Sequence, residues 1–427
     1  MTSCDTFDLT KGLIPLDDAR SVLSARAQQY GTLPQKETLP LPSVLNRILA
    51  QDIVATINVP NFDNSAMDGY ALRLEDCQAA LQDNSDLFDM PVSQRITAGD
   101  APKPLLANTC ARIFTGAAVP SNSDLVVMQE QCEVLENGNV RFPQSVAHAQ
   151  PQQNIRPAGQ DIKNNQVVFT AGRILRAEDL GVLASIGCHE VTVYKRLKVA
   201  VVSSGDELVE PGNPLTAGKI YNTNSFTLIG LLQRMGMEVI GPFFAADTLA
   251  DTQTVLQKAS ALADVIITSG GVSVGEEDHI KAAISQGGDQ GGNIEMWRLA
   301  IKPGKPFALG HYNGAPVLGL PGNPAAVVVT FYQLARDFLW SVQGANAQPL
   351  LRLIGKARFT TKKSIARTEF LRARFNQGEI EVFNNQSSGV LSSSSWSDGF
   401  ACVPAGTIIS EGDEIEFYGL TTAQGHG

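Results

Sequence analysis

The hydrophobic and polar positions divide the chain into four regions of different texture. In the first region, apolar residues at helical spacing predict a helix over 16–27 and a second helix over 43–50. From about 53 to 168 the pattern changes to short apolar runs broken by Gly, Pro and Asn, which predicts a β-rich segment. Within it, 134–140 predicts a hairpin, because its Asn-Gly pair suits turn positions with positive φ.

The third region alternates continuous apolar runs with amphipathic segments. Strands are predicted at 199–202, 237–244 and 265–268, and helices at 225–235, 248–262 and 278–285. Thr248 is the expected N-cap of the second of these helices. Continuous apolar strands that alternate with helices are typical of a parallel α/β sheet. Beyond about 351 the pattern returns to short strands, which predicts a small all-β module.

We therefore expect a multidomain α/β and β protein. The length of 427 residues agrees with this, since domains have roughly 100–200 residues each. The predicted division is a mixed α/β linking domain, a β-rich inserted domain, a central parallel α/β domain and a small C-terminal β-barrel-like domain. Their predicted ranges are 1–54 with 164–194 for the linking domain, 55–163 for the insert, 195–343 for the α/β domain and 344–427 for the last.

Composition narrows the classes of partner. Acidic residues outnumber basic ones by 43 to 33, which gives a net charge of −10 and disfavours binding to duplex DNA or to anionic membranes. The six cysteines form no CxxC pair, and the five histidines have no zinc-site spacing. No apolar run reaches the roughly 20 residues of a membrane span, and the first residues do not resemble a signal peptide. We expect a soluble cytoplasmic protein that binds neither nucleic acid nor membrane.

Glycine-rich loops follow the predicted strands of the α/β region. They lie at 203–207, 269–275 and 320–324. Because the carboxyl ends of parallel strands share one edge of a sheet, we expect these loops to lie together. Glycines let backbone N–H groups approach an anion, and the N-terminus of a helix adds positive potential. The sequence therefore favours an anion-binding edge, although turns of any α/β fold also use glycine.

Charged residues near these loops suggest two further sites. Glu207, Asp247 and Asp278 are acidic residues in this region. Bringing carboxylates close to a phosphate costs free energy unless a divalent cation lies between them. These residues therefore suggest a magnesium ion bound together with a phosphorylated ligand. Lys302 and Lys305 flank a Pro-Gly turn, and 352–374 holds eight Lys or Arg against a single Glu. These basic segments suit a small anion. Solvated strand faces are the alternative interpretation.

Two known catalytic motifs partly match segments in or near these loops. The segment 212–220 resembles a P-loop but has five residues between its glycines and lacks the Ser or Thr that binds magnesium. The segment 271–275 matches the GxSxG motif, with Ser273 as the nucleophile of a possible hydrolase. Two glycines after Thr268 separate that serine from its strand, which a nucleophile elbow does not allow. A hydrolase is kept as a minor alternative.

Seven motifs, in order along the chain, carry a resemblance to a known family. They are 63–70 (DNSAMDGY), 114–116 (FTG), 154–161 (NIRPAGQD), 203–208 (SSGDEL), 269–278 (SGGVSVGEED), 302–306 (KPGKP) and 320–324 (LPGNP). Together they resemble the MoeA/gephyrin E-domain family, the molybdopterin molybdenumtransferases. The resemblance implies that the α/β domain binds molybdopterin. It also implies an elongated homodimer, whose cleft lies between the α/β domain of one subunit and the insert of the other.

The activity that the resemblance implies is the last step of molybdenum cofactor synthesis. Molybdate and adenylylated molybdopterin would be the substrates, Mg²⁺ the cofactor, and AMP a product. The implied partners are a molybdopterin adenylyltransferase, which supplies the substrate, and molybdoenzyme delivery proteins, which take the product. A non-catalytic molybdopterin-binding carrier or scaffold is the alternative in another class.

The resemblance also assigns residues by position. The implied catalytic residues are Asp68, Thr115, Asp161, Glu207, Asp278, Lys302 and Lys305. The implied binding residues are Arg156, Ser204, Gly205, Gly270, Gly271, Ser273, Arg298, Pro321, Gly322, Pro324, Arg367 and Ser388. Asp247 and Asp278 are the implied magnesium ligands, and Lys302, Lys305, Arg367 and Ser388 would hold molybdate. The chain departs from the family pattern at Arg298, often lysine, at 246–248, often Arg-Asp-Asp, and at 386–389.

Overall fold

The computed structural model describes residues 12–81, 86–271, 279–288, 291–346 and 348–422. Its first segment contains helix α1 (Leu16–Tyr30) and strands β1 (Lys36–Pro40) and β2 (Ile53–Val54). Helix α1 confirms the first predicted helix, and its buried residues Ala19, Leu23 and Ala27 recur every four positions along one face.

The helix predicted over 43–50 is wrong. A 3₁₀ turn at Leu41–Ser43 is followed by isolated β-bridges from Ile48 to Ile174 and from Leu49 to Val193. Ile48 and Leu49 are both buried in these bridges. Pairing with distant strands has therefore overridden the local helical pattern.

The inserted segment forms a six-stranded sheet in the order β7-β4-β6-β5-β9-β8. The predicted hairpin is confirmed, because Val134 pairs with Val140 in an antiparallel arrangement. A separate pair, β3 with β10, lies beside this sheet. The elements of the insert are β3 (Asn64–Ser65), β4 (Gly69–Leu72), α2 (Leu74–Ala80), β5 (Leu87–Ile96), β6 (Cys110–Ile113), β7 (Leu125–Met128), β8 (Glu133–Val134), β9 (Asn139–Pro143) and β10 (Ile155–Arg156), with 3₁₀ turns at Gln129–Gln131 and Gln144–His148.

After the insert the chain returns to its first segment. Strand β11 (Val167–Phe169) pairs with β2, and strand β12 (Glu190–Tyr194) pairs with β1 along its whole length. Helix α3 (Ala177–Ser185) lies between them. Both connections to the insert therefore leave from the same small unit, as an insertion between paired strands requires.

Asp179 fixes the start of α3. Its carboxylate accepts hydrogen bonds from Arg173 Nε and Nη2 at 2.9 and 2.7 Å and from the Arg176 backbone N–H at 3.0 Å. Burial alone would raise the pKa of Asp179, but the bonds from Arg173 and Arg176 outweigh it and hold the pKa below its usual value. A carboxyl whose folded pKa is lowered stabilises the protein above its unfolded pKa, and this contribution is lost as the pH falls through the folded pKa.

We expect Asp179→Asn to lower the free energy of unfolding by about 2 kcal/mol near neutral pH, because charge-assisted hydrogen bonds are lost. The deficit should begin to shrink as the pH falls below about 4, where the carboxyl of the unfolded chain takes up a proton, and should disappear below the lowered pKa of the folded Asp179. Urea unfolding as a function of pH measures both effects. Glu178→Gln is the control: Glu178 occupies the same helical turn, but its side chain is 75% exposed. A deficit in Asp179→Asn that is the same at acidic and neutral pH would contradict the assignment.

The α/β region is built around a six-stranded sheet in the order β16-β13-β17-β21-β20-β18. The strands of the α/β region, inside this sheet or beside it, are β13 (Lys198–Ser204), β14 (Leu208–Val209), β15 (Ile220–Tyr221), β16 (Glu238–Ala245), β17 (Val265–Ser269), β18 (Gly292–Arg298), β19 (Ile301–Lys302), β20 (Pro306–Tyr312) and β21 (Ala315–Leu320). Its helices are α4 (Thr223–Arg234), α5 (Leu249–Leu262), α6 (His279–Gln286), α7 (Pro324–Thr330) and α8 (Arg336–Val342), with a π-helical turn at Phe331–Ala335.

The sheet is parallel over four strands and antiparallel at one edge. Strands β16, β13, β17 and β21 are parallel, as predicted, and Thr248 caps α5 by accepting a hydrogen bond from the Asp251 backbone N–H. Strand β20 runs antiparallel to β21, and β18 runs antiparallel to β20. The reason is local: Asn313 and Gly314 both have positive φ, so they form a tight turn that joins β20 directly to β21.

The C-terminal strands close into a small barrel, as predicted. They are β22 (Leu350–Ala357), β23 (Thr368–Asn376), β24 (Glu379–Val382), β25 (Gly399–Val403) and β26 (Glu414–Thr422), with helix α9 (Leu391–Trp396) before β25. The order β23-β24-β22-β26-β25 returns to β23 through a β23–β25 pairing, and β19 pairs with the first two residues of β23, ahead of the residues that pair with β24. The barrel is thereby joined to the α/β region by strand pairing. We keep the four predicted domain ranges as a proposal.

One core extends from the α/β region into the barrel. Phe370 and Phe400 of the barrel belong to the same buried cluster as Leu318 of β21 and Val327 of α7. Within the described residues, no helix is long and apolar enough to cross a membrane. The five cysteines in this part of the chain are free thiols, and burial raises the pKa of Cys110, for example, to about 12.

Candidate active site

A cavity of about 1160 Å³ lies at the carboxyl ends of the parallel strands, where the α/β region meets the barrel. The three predicted glycine-rich loops all contribute to its wall. So do the Pro-Gly turn after β19 and a loop of the barrel. The predicted site residues that line it are Ser204, Gly205, Glu207, Asp247, Gly270, Gly271, Lys302, Lys305, Pro321, Gly322, Pro324, Arg367 and Ser388.

The glycine-rich edge is shaped by close backbone packing. Gly270 has a φ of +89°, and a Cβ atom there would lie 2.8 Å from the Ser204 carbonyl oxygen. No other residue type fits this position, because both the conformation and the spacing exclude a side chain. The loops after β17 and β13 can therefore approach each other and leave their backbone exposed to the cavity.

Asp247 locks the loop after β16 to the loop after β13. Its two carboxylate oxygens accept hydrogen bonds from Ser204 Oγ at 3.2 Å and from the Asp206 backbone N–H at 2.8 Å. Asp206 returns the interaction, since its carboxylate accepts from the Asp247 backbone N–H at 3.1 Å. Asp247 is thus held in place before any ligand binds.

Asparagines at the start of α4 belong to the site, and they were missed from the sequence. Asn222 caps the helix by accepting from the Ser225 backbone N–H. Asn224 Nδ2 donates to Ser269 Oγ at 2.8 Å and to the Gly322 carbonyl oxygen at 2.7 Å, which ties two of the glycine-rich loops together. Both asparagines line the cavity. The N-cap preference for Asn was the available sequence indication, but it does not distinguish a cap from a site residue.

The part of the cavity next to the barrel carries Lys302, Lys305, Arg367 and Ser388, which we call the anion wall. Strands β19 and β23 are parallel, and their register places Lys302 opposite Glu369. Lys302 Nζ donates to Glu369 Oε1 at 2.6 Å, and Arg367 Nη1 donates to the Ile301 carbonyl oxygen at 3.2 Å. The β19–β23 pairing therefore holds together the two parts of the chain that supply the three cations of the wall, and Ser388 comes from a third part.

The predicted site residues of the insert form a second group, outside the lining of this cavity. The three motif segments meet there: the Gly116 backbone N–H donates to the Ser65 carbonyl oxygen, and the Ala66 backbone N–H donates to the Asn154 carbonyl oxygen, both at 2.8 Å. The predicted residues on these segments are Asp68, Thr115, Arg156 and Asp161.

Asp68 and Thr115 are in direct contact. The Asp68 carboxylate accepts from the Thr115 backbone N–H and from Thr115 Oγ1, each at 2.8 Å. These two bonds, the backbone one first, lower the pKa of Asp68 below its usual value, so the group is a carboxylate at neutral pH. Arg156 and Asp161 are exposed on the neighbouring segment.

Three of the predicted residues do not join either group. Ser273 and Asp278 lie outside the described residues, so the GxSxG alternative and the second implied magnesium ligand gain nothing from the structure. Arg298 ends β18, where it pairs with Pro306, and it is not among the residues that line the cavity.

Magnesium fits Asp247, whose carboxylate lines the cavity and whose oxygens each retain a further acceptor position. Mg²⁺ commonly binds through one or two carboxylates and completes its shell with water and substrate phosphates. Among the described residues, no three His, Cys, Asp or Glu side chains form a metal-binding group of their own. The donor set therefore suits a cation that arrives with a phosphorylated ligand rather than a structural metal.

Comparison with known proteins covers nearly the whole chain. Residues 14–187 match the family described as MoeA N-terminal region (domain I and II), and 355–420 match MoeA C-terminal region (domain IV). Residues 200–340 match a family described as a probable molybdopterin binding domain.

Curated relatives and solved structures agree with these matches. The chain is 42% identical to molybdopterin molybdenumtransferase of Haemophilus influenzae, over 87% of this chain and 89% of the relative. It is 37% identical to molybdopterin molybdenumtransferase 2 of Mycobacterium tuberculosis, over 72% and 75%. A crystal structure of a molybdopterin biosynthesis MoeA protein from Pyrococcus horikoshii superposes with a TM-score of 0.80 at 27% identity, over 96% of this chain and 100% of that one. The chain belongs to the MoeA family, the molybdopterin molybdenumtransferases.

Proposed function

We propose that this protein inserts molybdate into adenylylated molybdopterin, with magnesium-dependent release of AMP, in the cytoplasm. The observation that carries the proposal is the single cavity that joins a glycine-rich anion edge to the anion wall. A reaction between a phosphorylated ligand and a second, separate oxyanion needs two anion sites within one cavity. Family membership and the names of the relatives support the same reaction.

Each side of the cavity has a distinct task in this reaction. Backbone N–H groups of the glycine-rich loops and the N-terminus of α4 would bind the phosphates of the adenylylated substrate. Lys302, Lys305 and Arg367 would bind molybdate and offset the repulsion between this dianion and the anionic dithiolene. Hydrolysis consumes one water and breaks one phosphoanhydride P–O bond. Molybdate gives up one oxygen as water when the two dithiolene sulfurs bind, and the two protons of that water come from the thiol groups or from solvent.

Asp247 would hold magnesium next to the phosphates, with Glu207 on the same side of the cavity. When bound, Mg²⁺ would polarise the phosphoanhydride and stabilise the charge that develops on the leaving phosphate. The preformed bonds from Ser204 and Asp206 keep the Asp247 carboxylate oriented, so binding of the ion requires no rearrangement of this loop.

We further propose that the active form is a homodimer in which the insert of one subunit completes the cavity of the other. Asp68 and Thr115 are ordered in the insert but do not line the cavity of their own chain. Both surfaces carry exposed apolar side chains: Phe62 and Met67 lie in the segment that leads to Asp68, and Ile220 and Tyr221 line the cavity. A second copy would cover both sets. A molybdopterin adenylyltransferase and molybdoenzyme delivery proteins are the partners expected before and after this step.

Incubation of the purified protein with adenylylated molybdopterin, Mg²⁺ and molybdate should release AMP in a molybdate-dependent manner. The reaction should also yield a cofactor that reconstitutes a molybdoenzyme apoprotein. Both products follow from one turnover, so their amounts should rise together.

Two other outcomes would reject the proposal in different ways. Tight binding of the adenylylated substrate without AMP release would favour the carrier or scaffold. Absence of binding, together with ester hydrolysis that Ser273→Ala abolishes, would favour the hydrolase.

A further inference from the structure

Arg372 is a fully buried arginine in β23, the strand that begins directly after Arg367 of the anion wall. It lies on β23, five residues after Arg367, and its relative exposure is 0%. Its Nε donates to Ser393 Oγ of α9 at 3.0 Å, and its Nη2 donates to the Ser387 carbonyl oxygen at 3.2 Å. The guanidinium thus reaches the loop that contributes Ser388 to the cavity.

Burying the charged Arg372 side chain costs more desolvation free energy than a purely structural hydrogen bond requires. Among the described residues, no carboxylate forms an ion pair with it, and its guanidinium donates to the Ser393 hydroxyl and the Ser387 carbonyl oxygen, both of which are neutral. Burial lowers the pKa of Arg372 to about 10, which still leaves the side chain protonated at neutral pH. Glu369, the nearby acid that acts on this charge, is already committed to Lys302. A neutral side chain could hold the same loop at a lower desolvation cost.

The loop that Arg372 contacts is fixed at three further points. The Arg372 backbone N–H donates to Gln386 Oε1, and Gln386 Nε2 donates back to the Arg372 carbonyl oxygen, both at 2.9 Å. On the far side, the Ala325 backbone N–H donates to the Ser388 carbonyl oxygen at 3.0 Å, which ties the loop to α7. Residues 386–388 therefore span from the barrel strand to the glycine-rich edge, and Arg372 contacts the centre of this span.

We propose that Arg372 is a positioning residue of the anion wall, which places the 386–388 loop so that Ser388 meets the bound oxyanion. Its buried positive charge is retained because a dianion in the cavity supplies the counter-charge that the protein lacks. The inference rests on the proposed function, since it assumes that the wall binds molybdate. It assigns a role to a residue that touches neither substrate.

The experiment compares Arg372→Lys with Arg374→Lys in the full-length protein. Lysine keeps the charge but loses the fork that reaches Ser387 and Ser393 together. Arg374 is the matched control: it lies on the same face of β23 and also holds α9, because its Nε donates to the Trp396 carbonyl oxygen at 2.7 Å, but among the described residues it forms no hydrogen bond with the 386–388 loop. Calorimetric titration with molybdate and steady-state AMP release are the two readouts.

We expect Arg372→Lys to raise the dissociation constant and the KM for molybdate about tenfold, and to leave the KM for adenylylated molybdopterin within about twofold. Arg374→Lys should bind molybdate like the wild type. A merely structural role would lower the active fraction, and hence kcat, without changing either KM. Wild-type affinity for molybdate in folded Arg372→Lys would overturn the inference and leave the proposed function intact. Absence of molybdate binding by the wild type would overturn both.

A second pair of variants decides the matter if Arg372→Lys does not fold. Ser393→Ala removes the acceptor of Arg372 Nε, and Ser394→Ala deletes a neighbouring buried hydroxyl for which the structure shows no hydrogen-bond partner among the described residues. We expect the first to weaken molybdate binding about threefold and the second to leave it unchanged. Equal affinities of the two variants would count against the positioning role.

Discussion

Lys302→Met should lower kcat/KM for molybdate about 1000-fold, the largest loss expected for a single substitution in this protein. The substitution removes a cation of the anion wall, and it also releases Glu369 from its bond at 2.6 Å. The Glu369 side chain is only 12% exposed, so its freed carboxylate would place an unpaired negative charge beside the site for a dianion. Steady-state AMP release at varied molybdate concentrations measures the effect.

A double-mutant cycle separates these two causes. If the freed carboxylate contributes, Lys302→Met combined with Glu369→Gln should recover about tenfold of the lost activity. Lys356→Met is the control, because Lys356 is an exposed lysine of the barrel that does not line the cavity. Equal losses in the single and double variants would show that Glu369 has no electrostatic influence on the site.

A heterodimer of Asp68→Asn and Glu207→Gln chains should regain about half of the wild-type activity, although each variant alone is inactive. In a shared cleft, one site of the heterodimer combines the intact Glu207 of the first chain with the intact Asp68 of the second. The other site contains both substitutions. Co-expression with two affinity tags and sequential purification isolates this heterodimer, and AMP release measures its activity.

The heterodimer tests the arrangement of the subunits directly. If Asp68 and Glu207 of the same chain served one site, both sites of the heterodimer would be damaged and no activity would return. The matched control is a heterodimer that carries both substitutions on one chain, paired with a wild-type chain. With a shared cleft each of its sites has one damaged residue, so this control should be inactive.

The α/β region was predictable from the sequence because its elements are local. Continuous apolar runs gave β13 and β17 nearly their observed bounds, and Thr248 indicated the start of α5. The glycine-rich loops could be placed at one edge because parallel strands have a common direction. The antiparallel edge was missed, since it depends on a two-residue turn at Asn313-Gly314 that the apolar pattern does not reveal.

Only some of the residues of the site could be predicted from the sequence. Lys302 and Lys305 could be predicted as site residues because they flank a Pro-Gly turn. The hydrogen bond of Lys302 to Glu369 could not, because the two residues are 67 positions apart. Such a pair follows from strand register, which no local pattern specifies. Arg372 was hidden for the same reason: in the sequence it is one of eight basic residues over 352–374, and only the fold distinguishes the buried one.

The β19–β23 pairing also limits how this chain can change in length during evolution. Successive side chains of a strand point to opposite faces, so one inserted residue ahead of Glu369 within β23 would turn that carboxylate away from Lys302 and displace Arg367 as well. Insertions and deletions should therefore accumulate among homologues in the turns that flank β23, and be nearly absent within the paired residues themselves. The boundary between the α/β region and the barrel is thus expected to be among the segments least tolerant of gaps, although it joins two separate structural units.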